Sequence, residues 1–313
     1  MPVYGAKETV EIIMKRHNLS GFFSLHAGIL SLALGPVAAL AADGENLPLW
    51  ELGIGAAAYH QPHYPGSDVS STTVIPFPYV IYRGDWLRID RTVQGIIYES
   101  QRLKIDLSAG ATSPVESDES DARAGMPDLD PTFEIGPAVS LLLSDPERSD
   151  SLWGRIAARA AYSVDTDGWN IDRQGWTFDA RLRYQYPLSG QALQLSVETS
   201  AAFANEDYLG YFYNVAPQYA TPQRPAYRSD AGYAGARLSV GLSGGSGQWR
   251  WSVFGAYHNL SGVTFSDSPL VDSKHDFGVG ATVTWMFWQS ESRARPKHSS
   301  SGNAFDTPLL LDF

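Results

Sequence analysis

The chain contains no cysteine among its 313 residues, and this absence excludes disulfide scaffolds, thiol catalysis, cysteine-ligated zinc and iron–sulfur clusters. Charged residues are scarce at 18%, and 23 Lys and Arg stand against 34 Asp and Glu. That acidic balance argues against a nucleic-acid partner, because phosphate binding requires clustered bases. The chain is instead rich in glycine (29), tyrosine (16) and tryptophan (9), a composition that suits β-structure with aromatic belts.

A basic segment precedes an apolar, uncharged stretch near the N-terminus. Lys15 and Arg16 come before residues 21–40, which contain no Asp, Glu, Lys or Arg and lead into Ala39-Leu40-Ala41. The order of basic region, apolar region and small-residue site is typical of a secretory signal peptide cleaved after the last of these alanines. A membrane-spanning or buried helix is the alternative, which Gly35-Pro36 disfavours by interrupting the apolar run.

Alternation of apolar and polar residues recurs along the rest of the chain. Leu103, Ile105 and Leu107 alternate with Lys104 and Asp106, and this period of two predicts a strand with one apolar and one polar face. The same pattern is found near residues 133–141, 177–185, 193–198 and 237–242. Residues after position 41 contain no convincing helical period and no apolar run of about 18 residues.

The polar face of these strands distinguishes a soluble sandwich from a membrane barrel with its apolar face outward. It mixes Gly, Ser, Thr and Ala with isolated charges, whereas the outer face of a soluble sandwich is usually rich in Lys and Glu. We therefore favour the barrel and predict an interior lattice of ion pairs, with the solvated face of a sandwich as the alternative. The predicted lattice comprises Arg88, Asp90, Lys104, Asp106, Glu134, Arg155, Arg159, Asp179, Arg181, Arg183, Glu198, Arg237 and Arg250.

Segment lengths predict the topology of the barrel. Short turns alternate with long loops, as in outer-membrane barrels, and termini on one side require an even strand number. With a tight hairpin near Arg91 to Gly95, we predict an all-β antiparallel transmembrane barrel of twelve strands, with ten or fourteen as alternatives. The predicted long loops are 60–71, 113–131, 165–174, 205–230 and 260–274. The predicted organisation is a signal peptide (1–41), an outer-membrane β-barrel (42–288) and a C-terminal periplasmic tail (289–313).

The last alternating segment is the closing strand of the predicted barrel. Eight of the nine tryptophans also lie at or near predicted strand ends, where aromatic girdles are found. An apolar alternation that ends on an aromatic residue is typical of the strand that signals outer-membrane assembly. The residues of this signal are Phe277, Val279, Ala281, Val283, Trp285 and Phe287.

Several motifs between Trp50 and Phe287 are specific enough to compare with a known family. They are Trp50-Glu51-Leu52-Gly53, Tyr64-Pro65-Gly66-Ser67-Asp68, Pro76-Phe77-Pro78-Tyr79 running into Tyr82-Arg83-Gly84-Asp85, and Gly125-Met126-Pro127-Asp128-Leu129-Asp130-Pro131 before Glu134-Ile135-Gly136-Pro137. In these motifs the chain resembles the MltA-interacting protein (MipA)/OmpV family of Gram-negative outer membranes. It departs from the family by continuing beyond Phe287 to Phe313.

The resemblance implies a scaffold that links a murein lytic transglycosylase with a penicillin-binding protein, in contact with outer-membrane lipid and lipopolysaccharide. Other members of the family are associated with osmotic adaptation or host adhesion, so an outer-loop adhesin and a narrow solute channel are alternatives. No catalytic, cofactor or metal site is predicted. His60 and His63 lie near Asp68, but Pro62 prevents a helical presentation and no third ligand has a fixed spacing.

Overall fold

The computed structural model describes residues 47–89, 93–165, 170–188 and 193–294. The predicted signal peptide and most of the predicted tail therefore lie outside the described residues. Twelve strands form a closed antiparallel barrel in which each strand pairs with its sequence neighbours and β12 pairs with β1, which confirms the predicted fold class and strand number. The strands are β1 (Trp50–Pro62), β2 (Ser70–Arg83), β3 (Leu87–Ile89), β4 (Val93–Glu99), β5 (Leu103–Ala111), β6 (Thr132–Leu142), β7 (Ser151–Val164), β8 (Ile171–Pro187), β9 (Leu193–Ala204), β10 (Gly232–Ser246), β11 (Trp249–Asn259) and β12 (His275–Gln289).

The apolar face of the strands points away from the barrel axis. In β12, Phe277, Val279 and Val283 are exposed, whereas Thr282 and Thr284 are buried. This arrangement inverts that of a soluble protein, because a lipid environment favours apolar side chains outside and leaves polar side chains to the lumen. Within the described part of the chain, no helix has the length and apolar character needed to cross a membrane.

One tryptophan does not belong to the outer girdle. Trp50 and Trp288 pack edge to face, 5.6 Å apart, beside the chain ends, and Trp176 and Trp249 are exposed on the outer surface. Trp153 instead points into the lumen, where it is 4% exposed and packs with Leu142. Position near a strand end therefore does not by itself assign a tryptophan to the outer girdle, since the parity of the residue along its strand decides which face it lies on.

Several predicted loops are shorter in the structure because the strands continue into them. β1 extends to Pro62 and β2 begins at Ser70, while β8 begins at Ile171 inside the segment predicted as a loop. The predicted Arg91–Gly95 hairpin is also shifted, since β4 begins at Val93 and includes Gly95. Residues 90–92, between β3 and β4, lie outside the described residues.

A short helix lies in a part of the chain where the sequence contains no convincing helical period. The helix α1 (Glu206–Tyr213) lies between β9 and β10, and the Asn205 side chain caps it by accepting a hydrogen bond from the Tyr208 backbone N–H at 3.3 Å. Eight residues make little more than two turns, too few for a clear 3.6-residue pattern in the sequence. Burial of one face, which includes Leu209 and Phe212, stabilises it.

The two ends of the barrel differ. Mostly tight turns join the strands at the end where β1 begins and β12 ends, and mostly longer segments join them at the other end. Outer-membrane barrels place short turns in the periplasm and longer loops outside the cell. We therefore name these the turn end and the loop end, and the loop end faces the exterior.

Candidate functional site: the capped lumen

Ion pairs connect neighbouring strands inside the barrel. Asp106 on β5 is fully buried and accepts two hydrogen bonds from Arg155 on β7, at 2.9 and 3.1 Å. The ammonium of Lys104 lies 3.9 Å from the same carboxylate, and the side chain of Gln94 accepts a hydrogen bond from it. Asp106 is thus paired with two cations in a region that excludes most of the solvent, where a buried charge requires a partner.

A second set of charges forms a chain across β6, β7, β8 and β9. Arg159 donates to Glu134 at 2.9 Å and also to Asp179. Asp179 in turn accepts from Arg181 at 2.9 Å. The chain ends at Glu198, which lies 3.9 Å from Arg181 and 2.7 Å from Arg183. Because the pairs of Arg159 with Glu134 and Asp179, and of Arg183 with Glu198, each join neighbouring strands, the network holds these strands in their register.

Two predicted lattice residues, Arg88 and Arg250, make contacts outside this network. Arg88 pairs with Glu99 at 2.6 Å near the turn end, and its expected neighbour Asp90 lies outside the described residues. Arg250 has the same parity along β11 as the buried Ser252, and it donates to the backbone carbonyls of Gly247 and Trp249 at 2.7 and 2.9 Å. These turn carbonyls are its acceptors because Arg250 lies beside a tight turn. Arg237 is buried on β10.

The opposite wall of the lumen is apolar. On β1, β2 and β12, inward-facing side chains pack into a buried cluster made of Ala57, Phe77, Tyr79, Ile81 and Met286. The Phe77 ring lies over Gly55, where an added Cβ would approach the ring to 2.3 Å. The lumen therefore has one charged wall and one apolar wall.

The loops at the exterior end pack together over the barrel. We call this assembly the cap; it consists of residues 63–69, 112–131, 205–231 and 260–274. Tyr213 stacks on Phe265 with ring centroids 3.8 Å apart, and Tyr64 donates to the Leu270 carbonyl at 3.0 Å. The buried apolar cluster of the cap includes Tyr64, Val115, Leu129, Tyr208, Leu209, Phe212, Tyr213, Leu260, Val263 and Phe265.

One hydrogen bond ties the cap to the charged wall. The Tyr208 hydroxyl donates to Glu134 Oε1 at 2.7 Å, while Glu134 Oε2 accepts from Arg159 at 2.9 Å. Burial, followed by the charge of Glu134, raises the pKa of Tyr208 well above its ordinary value, and burial raises the pKa of Tyr64 to about 12. Both cap phenols therefore keep their protons at neutral pH and remain donors.

A small cavity lies where the cap meets the charged wall. Its volume is about 70 Å³, and Tyr208, Phe212, Glu134, Arg181 and Arg237 are among its lining residues. A water molecule requires roughly 10–15 Å³ of such cavity volume, so the cavity has room for several waters beside charged groups. Such waters would complete the hydrogen bonds of a buried polar network.

Comparisons with known proteins identify the family. The family profile of MltA-interacting protein MipA matches residues 54–287. This chain belongs to the MipA/OmpV family. Outer membrane protein OmpV of Vibrio cholerae is 32% identical over 89 residues, which cover 28% of this chain and 33% of that protein. The match therefore spans about a third of the length of this curated relative.

Solved structures of low similarity are also outer-membrane proteins. The COG4313 outer membrane channel of Pseudomonas putida F1 is 16% identical with a TM-score of 0.32, covering 81% of this chain and all of that chain. A bacterial polysaccharide outer membrane secretin is 11% identical with a TM-score of 0.39, covering 77% and 99% of the two chains. This MipA/OmpV family barrel is located in the Gram-negative outer membrane.

This MipA/OmpV barrel also contains ion pairs that the sequence analysis missed. Arg83, which was named only as part of a family motif, pairs with Glu51 at 2.6 Å and donates to the Pro48 carbonyl at 2.8 Å. Glu99 is not part of the predicted lattice, although it pairs with Arg88. The inward parity of Glu51 along β1 was the available signal, whereas nothing in the sequence pattern indicates the contact between Tyr208 and Glu134.

Removal of the Tyr208 hydroxyl tests the connection between cap and wall. We expect Tyr208→Phe to lower the free energy of cap opening by about 1.5–3 kcal/mol, since Glu134 loses a donor in a buried site. Limited trypsin digestion of the folded protein should then cleave faster at Arg228, whose side chain is 80% exposed in the cap. Tyr257→Phe is the control, because that hydroxyl makes an exposed contact with His275. Equal cleavage rates in the two variants would contradict the role of Tyr208.

Proposed function

We propose that this barrel is a non-catalytic scaffold that binds a murein lytic transglycosylase and a penicillin-binding protein on its periplasmic side. The observation that carries the proposal is the match of residues 54–287 to the family described as MltA-interacting protein. Partners bound to peptidoglycan can reach only the turn end of a barrel in the outer membrane. The proposed contacts are therefore the turns and the segments that flank the first and last strands.

The turn between β6 and β7 has a preformed shape. Arg148 donates to both carboxylate oxygens of Asp150, at 2.8 and 3.0 Å, and Tyr184 donates to the same carboxylate at 3.0 Å. The Ser144 hydroxyl accepts from the Leu152 backbone N–H at 3.2 Å. A surface that is ordered before binding loses less conformational entropy on binding, so this turn is the favoured contact.

The chain segments on either side of the barrel run together at the turn end. The Leu49 backbone N–H donates to the Ser292 carbonyl at 2.8 Å, and the Ala294 backbone N–H donates to the Leu47 carbonyl at 2.9 Å. Arg83 holds the first of these segments through the Pro48 carbonyl. The N-terminal flank and the start of the tail thus emerge side by side, where one partner can contact both.

Disruption of the turn tests the scaffold. We expect the double variant Arg148→Ala and Asp150→Ala to reduce capture of a purified murein lytic transglycosylase about thirtyfold, which corresponds to the loss of one interface hot spot of about 2 kcal/mol. The matched control is Glu116→Ala with Asp118→Ala, which removes exposed charges from the cap. Heat-modifiable migration checks that both proteins fold. Reduced capture by the cap variant alone would contradict the periplasmic scaffold.

A cleft on the cap supports ligand binding at the exterior as a second candidate. Its volume is about 550 Å³, and its lining includes Arg173, Asp207, Tyr211, Asn214 and Arg228. That volume is within the range of small-molecule sites, about 300–1,000 Å³. An adhesin or ligand-binding role predicts that changes to these residues alter binding of cells or solutes while capture of the transglycosylase is unchanged.

A narrow solute channel is a further alternative. Planar-bilayer recordings test it, because a channel should show steady solute-selective openings.

A further inference from the structure

One face of α1 forms a side of the cleft on the cap. The helix buries Leu209 and Phe212 on one face, whereas Asp207, Gly210 and Asn214 lie about one turn apart on the other face and line the cleft. Gly210 has no side chain to fill this space, and an added Cβ there would approach the Asn214 Nδ2 atom to 2.4 Å. The helix therefore places polar side chains around an open floor.

Hydrogen bonds fix the other sides of the cleft. In the segment after α1, the backbone groups of Val215 and Tyr227 exchange two hydrogen bonds of 3.0 Å. On β8, the Gln174 side chain donates to the Ser163 hydroxyl at 2.8 Å. Val215, Tyr227 and Gln174 all line the cleft, so its shape is ordered before a ligand binds, which lowers the entropic cost of binding.

Two tyrosines line the cleft while their hydroxyl groups bind elsewhere in the cap. The Tyr211 hydroxyl donates to the Asp130 carbonyl at 3.0 Å, and the Tyr227 hydroxyl donates to the Thr264 carbonyl at 3.4 Å. Each phenol is therefore fixed at its polar end. What the two side chains contribute to the cleft is apolar ring surface.

Accessible hydrogen-bond acceptors and donors lie beside these rings. The acceptors are the exposed carboxylates of Glu206 and Asp207, and the charged donors are the exposed guanidinium groups of Arg173 and Arg228. Within the described part of the chain, these four groups form a single ion pair, between Arg228 and Glu206 at 3.7 Å, and both of its side chains are more than half exposed. Asn214 Oδ1 accepts from a backbone N–H at 2.7 Å, so its Nδ2 hydrogens remain for the cleft.

We propose that the cleft binds a neutral oligosaccharide, an inference that rests on ligand binding at the exterior, the second candidate function. A sugar hydroxyl both donates and accepts hydrogen bonds. Neighbouring hydroxyl groups can therefore donate to the carboxylates of Glu206 and Asp207 and accept from Arg173 and Asn214. The apolar C–H face of a sugar ring packs against the ring of Tyr211. A ligand with ionic groups of one sign would use only the acceptors or only the donors.

Saturation-transfer NMR tests the proposal on the full chain refolded in detergent micelles. The probes are three neutral trisaccharides of different linkage: maltotriose, raffinose and triacetylchitotriose. We expect saturation transfer to at least one of them, and transfer to none would overturn the proposal.

Filling the cleft locates the bound trisaccharide. Ala216 lines the cleft, so we expect Ala216→Trp to raise the dissociation constant of that trisaccharide about tenfold. Ala220→Trp is the matched control, because both alanines flank the 3₁₀ turn Pro217–Tyr219 and Ala220 is exposed outside the cleft. Heat-modifiable migration checks that both variants fold. Equal dissociation constants for the two variants would overturn the proposal.

A second variant applies if Ala216→Trp does not fold. Arg173→Ala removes an exposed donor from the start of β8, and we expect it to raise the dissociation constant about tenfold through the loss of charge-assisted hydrogen bonds. Arg102→Ala is its control, since it removes an exposed guanidinium from the turn between β4 and β5. Equal effects of the two substitutions would contradict the assignment of Arg173 to the site.

Trialanine separates the class of ligand from the candidate function. This peptide carries an ammonium and a carboxylate group but no hydroxyl groups. If trialanine binds in place of every trisaccharide, and Ala216→Trp abolishes its binding, the oligosaccharide is wrong while ligand binding at the exterior stands. Capture of the transglycosylase by the same variants reports on the periplasmic scaffold independently.

Discussion

Asp106→Asn is expected to destabilise the barrel by about 3–5 kcal/mol, the cost of removing one partner from a buried ion pair. Asp106 is fully buried and accepts two hydrogen bonds from Arg155, with Lys104 at 3.9 Å. The amide keeps the size of the carboxylate but leaves two buried cations without their shared anion. Urea unfolding of the refolded protein in lipid vesicles, followed by tryptophan fluorescence, measures the change in free energy.

The matched control for this substitution is Asp118→Asn. Asp118 is exposed in the cap, where solvent screens its charge, so we expect a change within about 0.5 kcal/mol. Equal destabilisation by the two substitutions would mean that the interior network does not hold the strands together.

Ile156→Arg is expected to destabilise the inserted barrel by about 2–4 kcal/mol, the cost of an arginine at the bilayer midplane. Ile156 is 50% exposed on the outer surface, and it lies in the interior of β7 with paired strands on both sides. The side chain therefore meets lipid, and a guanidinium there loses its hydration. The yield of heat-modifiable, folded protein and the urea midpoint in vesicles both report the effect.

Thr221→Arg is the control for the lipid-facing substitution. Thr221 is exposed in the cap, outside the strands, so an added charge there remains in water and should leave stability nearly unchanged. If Ile156→Arg inserts as well as this control, the outer surface of β7 does not face the hydrocarbon.

Strand identity and facing were predictable from local sequence because both depend on a period of two. Lys104 and Asp106 alternate with Leu103, Ile105 and Leu107, and the polar pair is buried in the structure. A lipid environment favours the apolar face of a strand on the outside of the barrel, so the alternation specifies which side of each such strand is outward. The strand number followed from the same pattern and from the alternation of turn and loop lengths.

The partners of the interior charges could not be predicted from alternation. Arg159 contacts Glu134 on one neighbouring strand and Asp179 on the other, and these contacts depend on the register between strands. Arg250 lies at a position along the chain that suits an interior ion pair, yet its guanidinium donates hydrogen bonds to turn carbonyls. Which acceptor is nearest is a property of three-dimensional geometry.

The sequence by itself determined the class of fold, the outward face of each strand and the closing strand, since these follow from the periodicity of single segments and the demands of lipid. The cap and the contact of Tyr208 with Glu134 were decided only by the tertiary structure. The cap combines loops far apart in sequence, and a short amphipathic helix forms only where such loops can bury its face.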